Sequence, residues 1–153
     1  GGSGNRDMGG STHVYEGEHV FSIPLAELRE LVLQAIAKAK DRYPRRYNLI
    51  EDDATKQTMF KRPGDEHSVT HAYQNRQIAD ENLSIYIIWR SACWGFMDDI
   101  IFTFRTEGET TILKALSVSR VGIGDFGANQ KHITELLGLV EGAKAVDVRV
   151  ARS

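Results

Sequence analysis

The residues best equipped for chemistry in this chain lie in two stretches that are close in the sequence. The first is the pair Asp98-Asp99, and the second is the run Ser117–Ile133, where an arginine, glycines, an acid and an asparagine crowd one turn before a helix. Such side chains can bind a small polar ligand or move a proton, but they can equally hold a fold together through hydrogen bonds and ion pairs. The candidate cluster, structural or binding, comprises Asp98, Asp99, Ser117, Ser119, Arg120, Gly122, Asp125, Gly127 and Asn129. The sequence assigns no catalytic residue among them.

The two carboxylates are predicted to have separate roles. Adjacent residues of a strand point to opposite faces, so Asp98 and Asp99 cannot act together as a catalytic pair. The strand that carries them and the next one form a predicted hairpin around Gly108, with apolar sets Ile100, Phe102, Phe104 and Ile112, Leu116, Val118. Burying both sets in one core requires an odd number of loop residues, which places Asp98 opposite Val118 and diagonal to Arg120. Because a lone buried carboxylate is costly, we predict that Asp98 and Arg120 form a structural ion pair.

The glycine spacing after the second strand has the outline of a dinucleotide-binding fingerprint. Gly122, Gly124 and Gly127 follow a strand and enter a helix, and Asp147 stands further along the chain. However, Asp125 inside the loop would repel a pyrophosphate, and the preceding strands are typical of hairpins rather than of a parallel unit. A tight strand-to-helix turn with Asp125 as the helix cap explains the glycines better, so we predict no cofactor.

Histidine and aromatic residues are weaker candidates. His67 and His71 lie near acidic residues, but no third ligand stands at a diagnostic spacing, so a solvated loop is favoured and no metal site is predicted. His132 is predicted to lie at the surface. A short bend is bracketed by Trp89, Cys93 and Trp94. Core packing is the simpler interpretation of these three residues and of Phe96 beside them. The alternatives are an apolar pocket and a partner-facing patch.

Composition places these residues in one ordinary globular domain. The chain has 153 residues, of which 41% are apolar and 26% charged, and 19 basic against 21 acidic residues give a net charge of -2. Non-specific nucleic-acid binding needs a basic surplus, so nucleic acid is not an expected partner. No apolar run predicts a transmembrane segment, and one cysteine excludes an internal disulfide. Residues 1–12 are Gly-rich and predict a flexible segment, either a cloning remnant or a processed native end, before a single domain over residues 13–153.

The elements that must position the cluster follow from periodicity. A helix is predicted between Pro24 and Pro44, with Ser22 as its cap, and a second helix carries Asn129 and Ile133 on its apolar side. Between and around them the predicted strands are Tyr47–Glu51, Gln57–Lys61, Leu83–Trp89, Phe96–Arg105, Thr111–Val121 and Val146–Val150, with an extended arm at His13–Phe21, a loop at Arg62–Asn82 and a further strand at Val69–Tyr73. We predict an α+β fold, an antiparallel sheet of about five or six strands with two main helices on one face.

Two linked segments carry a family resemblance. Trp94–Phe104 (WGFMDDIIFTF) and Leu116–Ile133 (LSVSRVGIGDFGANQKHI) are similar to the family catalogued as domain of unknown function 1499. The nine residues of the candidate cluster match the family's motif, whereas Leu116, Gln130, Lys131 and His132 stand where relatives tend to have arginines. If those arginines bind an anion in relatives, the resemblance implies that this chain has lost much of that capacity. The resemblance implies no established reaction, and it extends to bacterial proteins and to plastid-targeted proteins of photosynthetic eukaryotes.

Two functions remain open on this basis. The first is a non-catalytic accessory or binding subunit with a protein partner, docked on a larger assembly such as a chloroplast thylakoid complex of the photosystem type, in the lumen or the stroma and peripheral to the membrane. The alternative is a small-molecule-binding protein or enzyme that uses the polar cluster at the strand-to-helix turn, with a bacterial cytoplasm or periplasm as the other setting. A buried, mutually satisfied network would favour the first function, and a pocket lined by these side chains would favour the second.

Overall fold

The computed structural model describes residues 14–60, 83–92, 95–120 and 128–150. The elements in these ranges are β1 Val14–Phe21, α1 Leu25–Arg42, β2 Tyr47–Ile50, α2 Asp53–Lys56, β3 Ile85–Arg90, β4 Met97–Glu107, β5 Thr110–Ser119, α3 Ala128–Leu137 and β6 Asp147–Val150. The strands form one antiparallel sheet in the order β2-β3-β4-β5-β1-β6. The predicted α+β class, with an antiparallel sheet and two main helices, is confirmed.

Both main helices pack on the same face of this sheet. The buried residues of α1 recur at helical spacing and are Leu28, Val32, Ala35, Ile36 and Ala39. They share a core with Ile133 and Leu136 of α3 and with inward residues of the central strands: Ile85, Ile87, Ile100, Phe102, Phe104, Leu113 and Ala115. The N-cap of α1 is Pro24, without a side-chain hydrogen bond, so the predicted cap by Ser22 is wrong. Since Pro44 cannot continue a helix, α1 ends at Arg42.

The opposite face of the sheet is also apolar. A second cluster there contains Met59, Phe60, Tyr86, Ile88, Ile101, Leu116 and Val118. The alternation of Leu83, Ile85, Ile87 and Trp89 in the sequence predicts a half-buried strand. That prediction is wrong, because Ile85 to Ile88 of β3 are buried on both faces. The predicted strand at Gln57–Lys61 is also wrong. Asp52 caps the short helix α2 by accepting the Thr55 N–H at 2.8 Å, and the chain then turns to Phe60, whose φ is +62°.

The β4–β5 hairpin closes with an even-numbered loop. Glu107 pairs with Thr110, so only Gly108 and Glu109 lie between the strands, and Gly108 takes the positive φ that this tight turn requires. The predicted odd loop is wrong because Ile100 and Leu116 do not share a core; each belongs to a different face. Asp98 therefore lies opposite Ser119, and Asp99 lies opposite Val118.

The first and last described strands complete one side of the sheet. The predicted extended arm is β1, which pairs with β5 along its whole length and with β6 on its other side. The strand predicted at Val146–Val150 is confirmed as β6, from Asp147 onward. The predicted segment 1–12, the loop and strand predicted within residues 62–82, and the pair His67 and His71 lie outside the described residues. Within those residues, no helix has the length and apolar character needed to cross a membrane.

Candidate functional site

Asp99 lies in the core opposite the two main helices. Its side chain accepts the Phe60 N–H at 2.9 Å, which ties the segment after α2 to the middle of the sheet. Arg120, one residue beyond β5, donates Nε–H to both carboxylate oxygens of Asp99 at 2.9 and 3.0 Å and brings Nη2 within 2.8 Å of Oδ1. The Arg120 backbone N–H donates to the Met97 carbonyl at 3.0 Å, which fixes the position of the arginine beside β4.

This ion pair corrects the predicted pairing of Asp98 with Arg120. Arg120 pairs with Asp99 instead. The even-numbered hairpin loop shifts the register by one residue, so Asp99 and not Asp98 lies on the face of the sheet that Arg120 reaches. The type of interaction was predicted correctly, and the wrong carboxylate was chosen.

Burial dominates the electrostatics of Asp99. The side chain is 1% exposed, and desolvation raises its pKa above the ordinary value in spite of the opposing influence of Arg120 and the Phe60 N–H. A carboxylate in this position depends strongly on its partners, since without them its charge would have no compensation in the core.

Asp98 lies on the other face of β4, beneath α3. Its Oδ2 is 2.9 Å from Nε2 of His132, and both side chains are buried. The His132 ring stacks on Trp89 with the centroids 3.6 Å apart and the planes at 19°. His132 is therefore a buried residue, and the prediction that it lies at the surface is wrong.

A row of side chains crosses four strands under α3. Tyr47 pairs with Trp89, Trp89 pairs with Asp98, and Asp98 pairs with Ser119, each directly across the sheet. Side chains opposite each other on antiparallel strands share a face, so the row from β2 to β5 presents a phenol, an indole, a carboxylate and a hydroxyl to the same helix.

Three residues of α3 at a spacing of three contact this row. Asn129 accepts a hydrogen bond from the Ser117 hydroxyl and donates to the Ser119 hydroxyl at 3.0 Å, so one amide joins two positions of β5. His132 contacts Asp98 as described, and Glu135 accepts a hydrogen bond from the Tyr47 hydroxyl. Burial, followed by the hydrogen bond to Glu135, raises the pKa of Tyr47 far above its ordinary value. We call Tyr47, Trp89, Asp98, Ser117, Ser119, Asn129, His132 and Glu135 the polar seam.

The structure divides the predicted cluster between two faces. Asp98, Ser117, Ser119 and Asn129 belong to the polar seam, and Asp99 and Arg120 form the ion pair on the other face. Gly122, Asp125 and Gly127 lie outside the described residues, as do Cys93 and Trp94 of the predicted patch. Trp89, the remaining residue of that patch, is half buried against the helix-side core.

Sequence reasoning missed the contributions of His132, Glu135, Tyr47 and the Phe60 N–H. A signal for the two α3 residues was present, because Asn129, His132 and Glu135 are spaced by three and share one side of a helix. The backbone of Phe60 and the hydroxyl of Tyr47 left no comparable signal, since both reach their partners through the tertiary fold.

The chemistry open to this arrangement is limited by enclosure. Asp98, Asp99, Ser117 and Asn129 are at most 5% exposed, so a substrate has no direct approach to them. No group of three potential metal ligands occurs among the described residues. The Trp89 Nε1–H is buried and has no acceptor within the described part of the chain.

Comparison with known proteins identifies a matching family. No curated protein matches the chain. The family described as protein of unknown function (DUF1499) matches residues 28–140, a range that includes most of α1, the strands β2 to β5 and α3. The chain therefore belongs to the DUF1499 family.

Proposed function

We propose that this protein is a non-catalytic accessory or binding subunit that docks on a larger protein assembly. The observation that carries this proposal is that the candidate polar groups are occupied by one another: Asp98 contacts His132, Asp99 contacts Arg120, and Asn129 joins two serines. A catalytic or ligand-binding group needs an approach for the substrate and a free hydrogen-bonding position. Enclosed groups that contact one another serve the fold, which leaves the outer surface as the place for function.

The assembly that we propose to test first is a chloroplast thylakoid complex of the photosystem type. This setting is supported by the resemblance to a family with plastid-targeted members, and it implies a location in the stroma or the lumen. A bacterial cytoplasm or periplasm is the alternative setting. The proposed partner in either setting is a protein surface.

A basic surface region supports docking to an acidic partner. It lies where the end of α1 meets β2 and the end of β3, and its residues are Lys40, Arg42, Arg45, Arg46 and Arg90, which we call the basic corner. Within the described residues, none of the five forms an ion pair.

Backbone and side-chain contacts hold this corner in place. Asn48 accepts a hydrogen bond from Lys40 Nζ at 2.8 Å and donates to the Arg45 carbonyl at 3.1 Å. The Arg90 N–H donates to the Arg46 carbonyl at 2.8 Å. Asp41 is an acidic residue beside the group, so the positive charge is local and moderate. Exposed cations that form no ion pair within the described part of the chain favour association with a surface of the opposite charge.

Native co-purification tests the proposal. The full chain, carrying an affinity tag, would be isolated from its source at low and high salt, and the co-purifying proteins would be identified by mass spectrometry. We expect one defined assembly with the wild type, released by high salt. The variant Arg42→Glu/Arg45→Glu should recover at least about tenfold less of it, because like charges would then face each other across the contact.

The variant Lys131→Glu is the matched control, since Lys131 is an exposed cation on α3 that does not belong to the basic corner. It should retain the partner, and the thermal melts of both variants should match that of the wild type. Recovery of the wild type alone at every salt concentration would contradict the proposed function. Full recovery with the basic-corner variant would reject this surface and keep the function.

A small-molecule-binding protein or enzyme is the second candidate, and one observation favours it. The buried Trp89 Nε1–H has no acceptor within the described residues, and a ligand oxygen could accept its hydrogen bond. Thermal shift screening of polar metabolites against the wild type and Trp89→Phe tests this function, because phenylalanine keeps an aromatic ring for stacking on His132 and removes the N–H. Binding that requires the indole would support this candidate, and stabilisation that is equal in both proteins would reject Trp89 as a ligand contact.

A further inference from the structure

Strand β6 ends the sheet with an apolar row. It pairs with β1 on one side and is the last strand in the described sheet order. Val146, Val148 and Val150 are 64, 47 and 49% exposed. Val148 lies opposite His19 and Val150 opposite Gly17, so these two valines continue the helix-side face beyond the region that the two helices cover. Val146 directly precedes β6, and its N–H donates to the Val20 carbonyl at 2.7 Å. Edge strands with exposed apolar side chains are prone to pair with another strand.

The charged side chains of β6 favour a second copy of the same strand as its partner. Asp147 and Arg149 point to the other face of the sheet, opposite Val20 and Glu18 of β1. If a second β6 runs antiparallel about a two-fold axis at Val148, Val148 faces Val148, Val146 faces Val150, and Asp147 faces Arg149. The last two contacts occur twice by symmetry. Apolar residues then meet on one face and opposite charges meet on the other, which is the complementarity of an isologous interface.

The contacts that Asp147 and Arg149 make within one chain would allow both side chains to change partners in the dimer. Arg149 is 52% exposed as a side chain, and its contacts with Glu18, Glu107 and Asp147 are 4.0, 3.9 and 3.4 Å long. The Asp147 carboxylate accepts the Val148 N–H at 2.9 Å. In the single chain the Val148 N–H donates to the Asp147 side chain. In the dimer it would donate to a carbonyl of the neighbouring strand instead.

We propose that this protein forms a two-fold dimer through antiparallel β6–β6 pairing centred on Val148, which joins the two sheets into one. The partner is a second copy of this chain. The proposal does not depend on the proposed function, because it rests on the edge strand alone.

Sedimentation velocity over a range of concentrations of the full chain tests the dimer. We expect a monomer–dimer equilibrium for the wild type. Val148→Lys should raise the dissociation constant at least about tenfold, because it places two like charges directly opposite each other at the axis. Leu49→Lys is the matched control at the other edge strand, where Leu49 is 38% exposed, and it should dimerise like the wild type. A monomeric wild type, an undisturbed Val148→Lys dimer, or loss of the dimer in Leu49→Lys would each overturn the proposal.

Cysteine cross-linking tests the register. In a Cys93→Ser background, Val148→Cys should form an intermolecular disulfide on mild oxidation, since directly opposed strand residues meet its distance requirement. Arg149→Cys should remain reduced under the same conditions, because Arg149 faces Asp147 in the proposed pairing. Cross-linking of Arg149→Cys in place of Val148→Cys, or of neither, would overturn the pairing.

Discussion

Arg120 is important because it compensates the buried charge of Asp99. The guanidinium reaches both oxygens of Asp99 through Nε and contacts Oδ1 through Nη2, and the Phe60 N–H donates a further hydrogen bond to that carboxylate. A buried charge that loses its partner costs far more than the pair contributes over an apolar replacement. Most of the destabilisation caused by the loss of Arg120 would therefore come from the buried charge of Asp99, which would have no compensating cation.

Replacement of Arg120 by alanine should lower the free energy of unfolding by about 3–5 kcal/mol, because Asp99 would remain buried without its cation. Urea denaturation at neutral pH measures the change. Arg105→Ala is the comparison: Arg105 pairs with Glu18 and Glu107 at the surface and is 42% exposed, so its loss should cost no more than about 1 kcal/mol. Equal losses in the two variants would contradict the role given to Asp99.

Gly17 shows a steric requirement at a single position. A Cβ at this residue would lie 2.3 Å from the hydroxyl oxygen of Tyr15, whose OH is hydrogen-bonded to His19 Nε2 at 3.0 Å. Gly17→Ala should therefore displace the Tyr15 ring and destabilise the fold by about 1–3 kcal/mol. Thermal unfolding of the single variants and of Tyr15→Ala/Gly17→Ala checks the cause. The alanine at position 17 should cost much less once the ring is absent, and an unchanged cost would point to the backbone of β1 instead.

At the scale of elements, α3 is held to the sheet by polar contacts as well as by its apolar side. Ile133 and Leu136 enter the core, and Asn129, His132 and Glu135 reach β5, β4 and β2. Hydrogen bonds have strict distance and angle requirements that apolar packing lacks. The hydrogen bonds of Asn129 and Glu135 therefore fix how α3 lies across the strands, and the buried residues of the helix are both polar (Asn129 and His132) and apolar (Ile133 and Leu136).

Loss of one contact in the polar seam should loosen α3 selectively. Asn129→Ala removes the amide between Ser117 and Ser119 and should cost about 1–3 kcal/mol, because buried hydroxyls lose hydrogen bonds. Hydrogen exchange should rise in α3 more than in α1. Gln130→Ala, at the next and exposed position, should leave the exchange of both helices unchanged. A uniform increase over the whole chain in Asn129→Ala would show that the helix has no separate response.

The elements also show what the sequence could predict. The long helix α1 followed from its apolar spacing, because one stripe of a helix was buried. The register of the β4–β5 hairpin could not be predicted from the sequence. Both strands have buried apolar residues on each face, so the alternation of apolar residues does not show which residues share a face. Helix α2 has four residues, too few for any period to appear. An ion pair between Arg120 and an acid of β4 was predicted from the cost of a lone buried carboxylate, whereas the choice of Asp99 over Asp98 depended on a register that the sequence left open.

At the scale of the whole molecule, the central strands of the described sheet are enclosed on both faces. Two main helices cover one face, and the segment from α2 to Phe60 contributes to a second core on the other. Burial on both sides brings titratable groups such as His19 and Asp99 into the interior. The stability of the fold should consequently depend on pH through these groups.

His19 gives this dependence a definite sign. Burial lowers its pKa below the ordinary value of 6.5, so the unfolded chain binds a proton before the folded one does. The His19 contribution should be complete above about pH 6.5 and should be lost as the pH falls through that value toward the lower folded pKa. Urea denaturation between neutral and mildly acidic pH checks this. His19→Gln should show a shallower loss than the wild type, and an identical slope would contradict the assignment to His19.

The consecutive carboxylates of β4 have a consequence for slippage of one strand along another. A slip by one residue normally exposes a strand's apolar side, but here both faces are apolar, so burial alone discriminates poorly between the two phases. Such a slip would carry Asp98 away from His132 and Asp99 away from Arg120 at once. The two partners, a histidine on one face and an arginine on the other, therefore select a single register for this hairpin, whose apolar side chains alone would also accept the register one residue away.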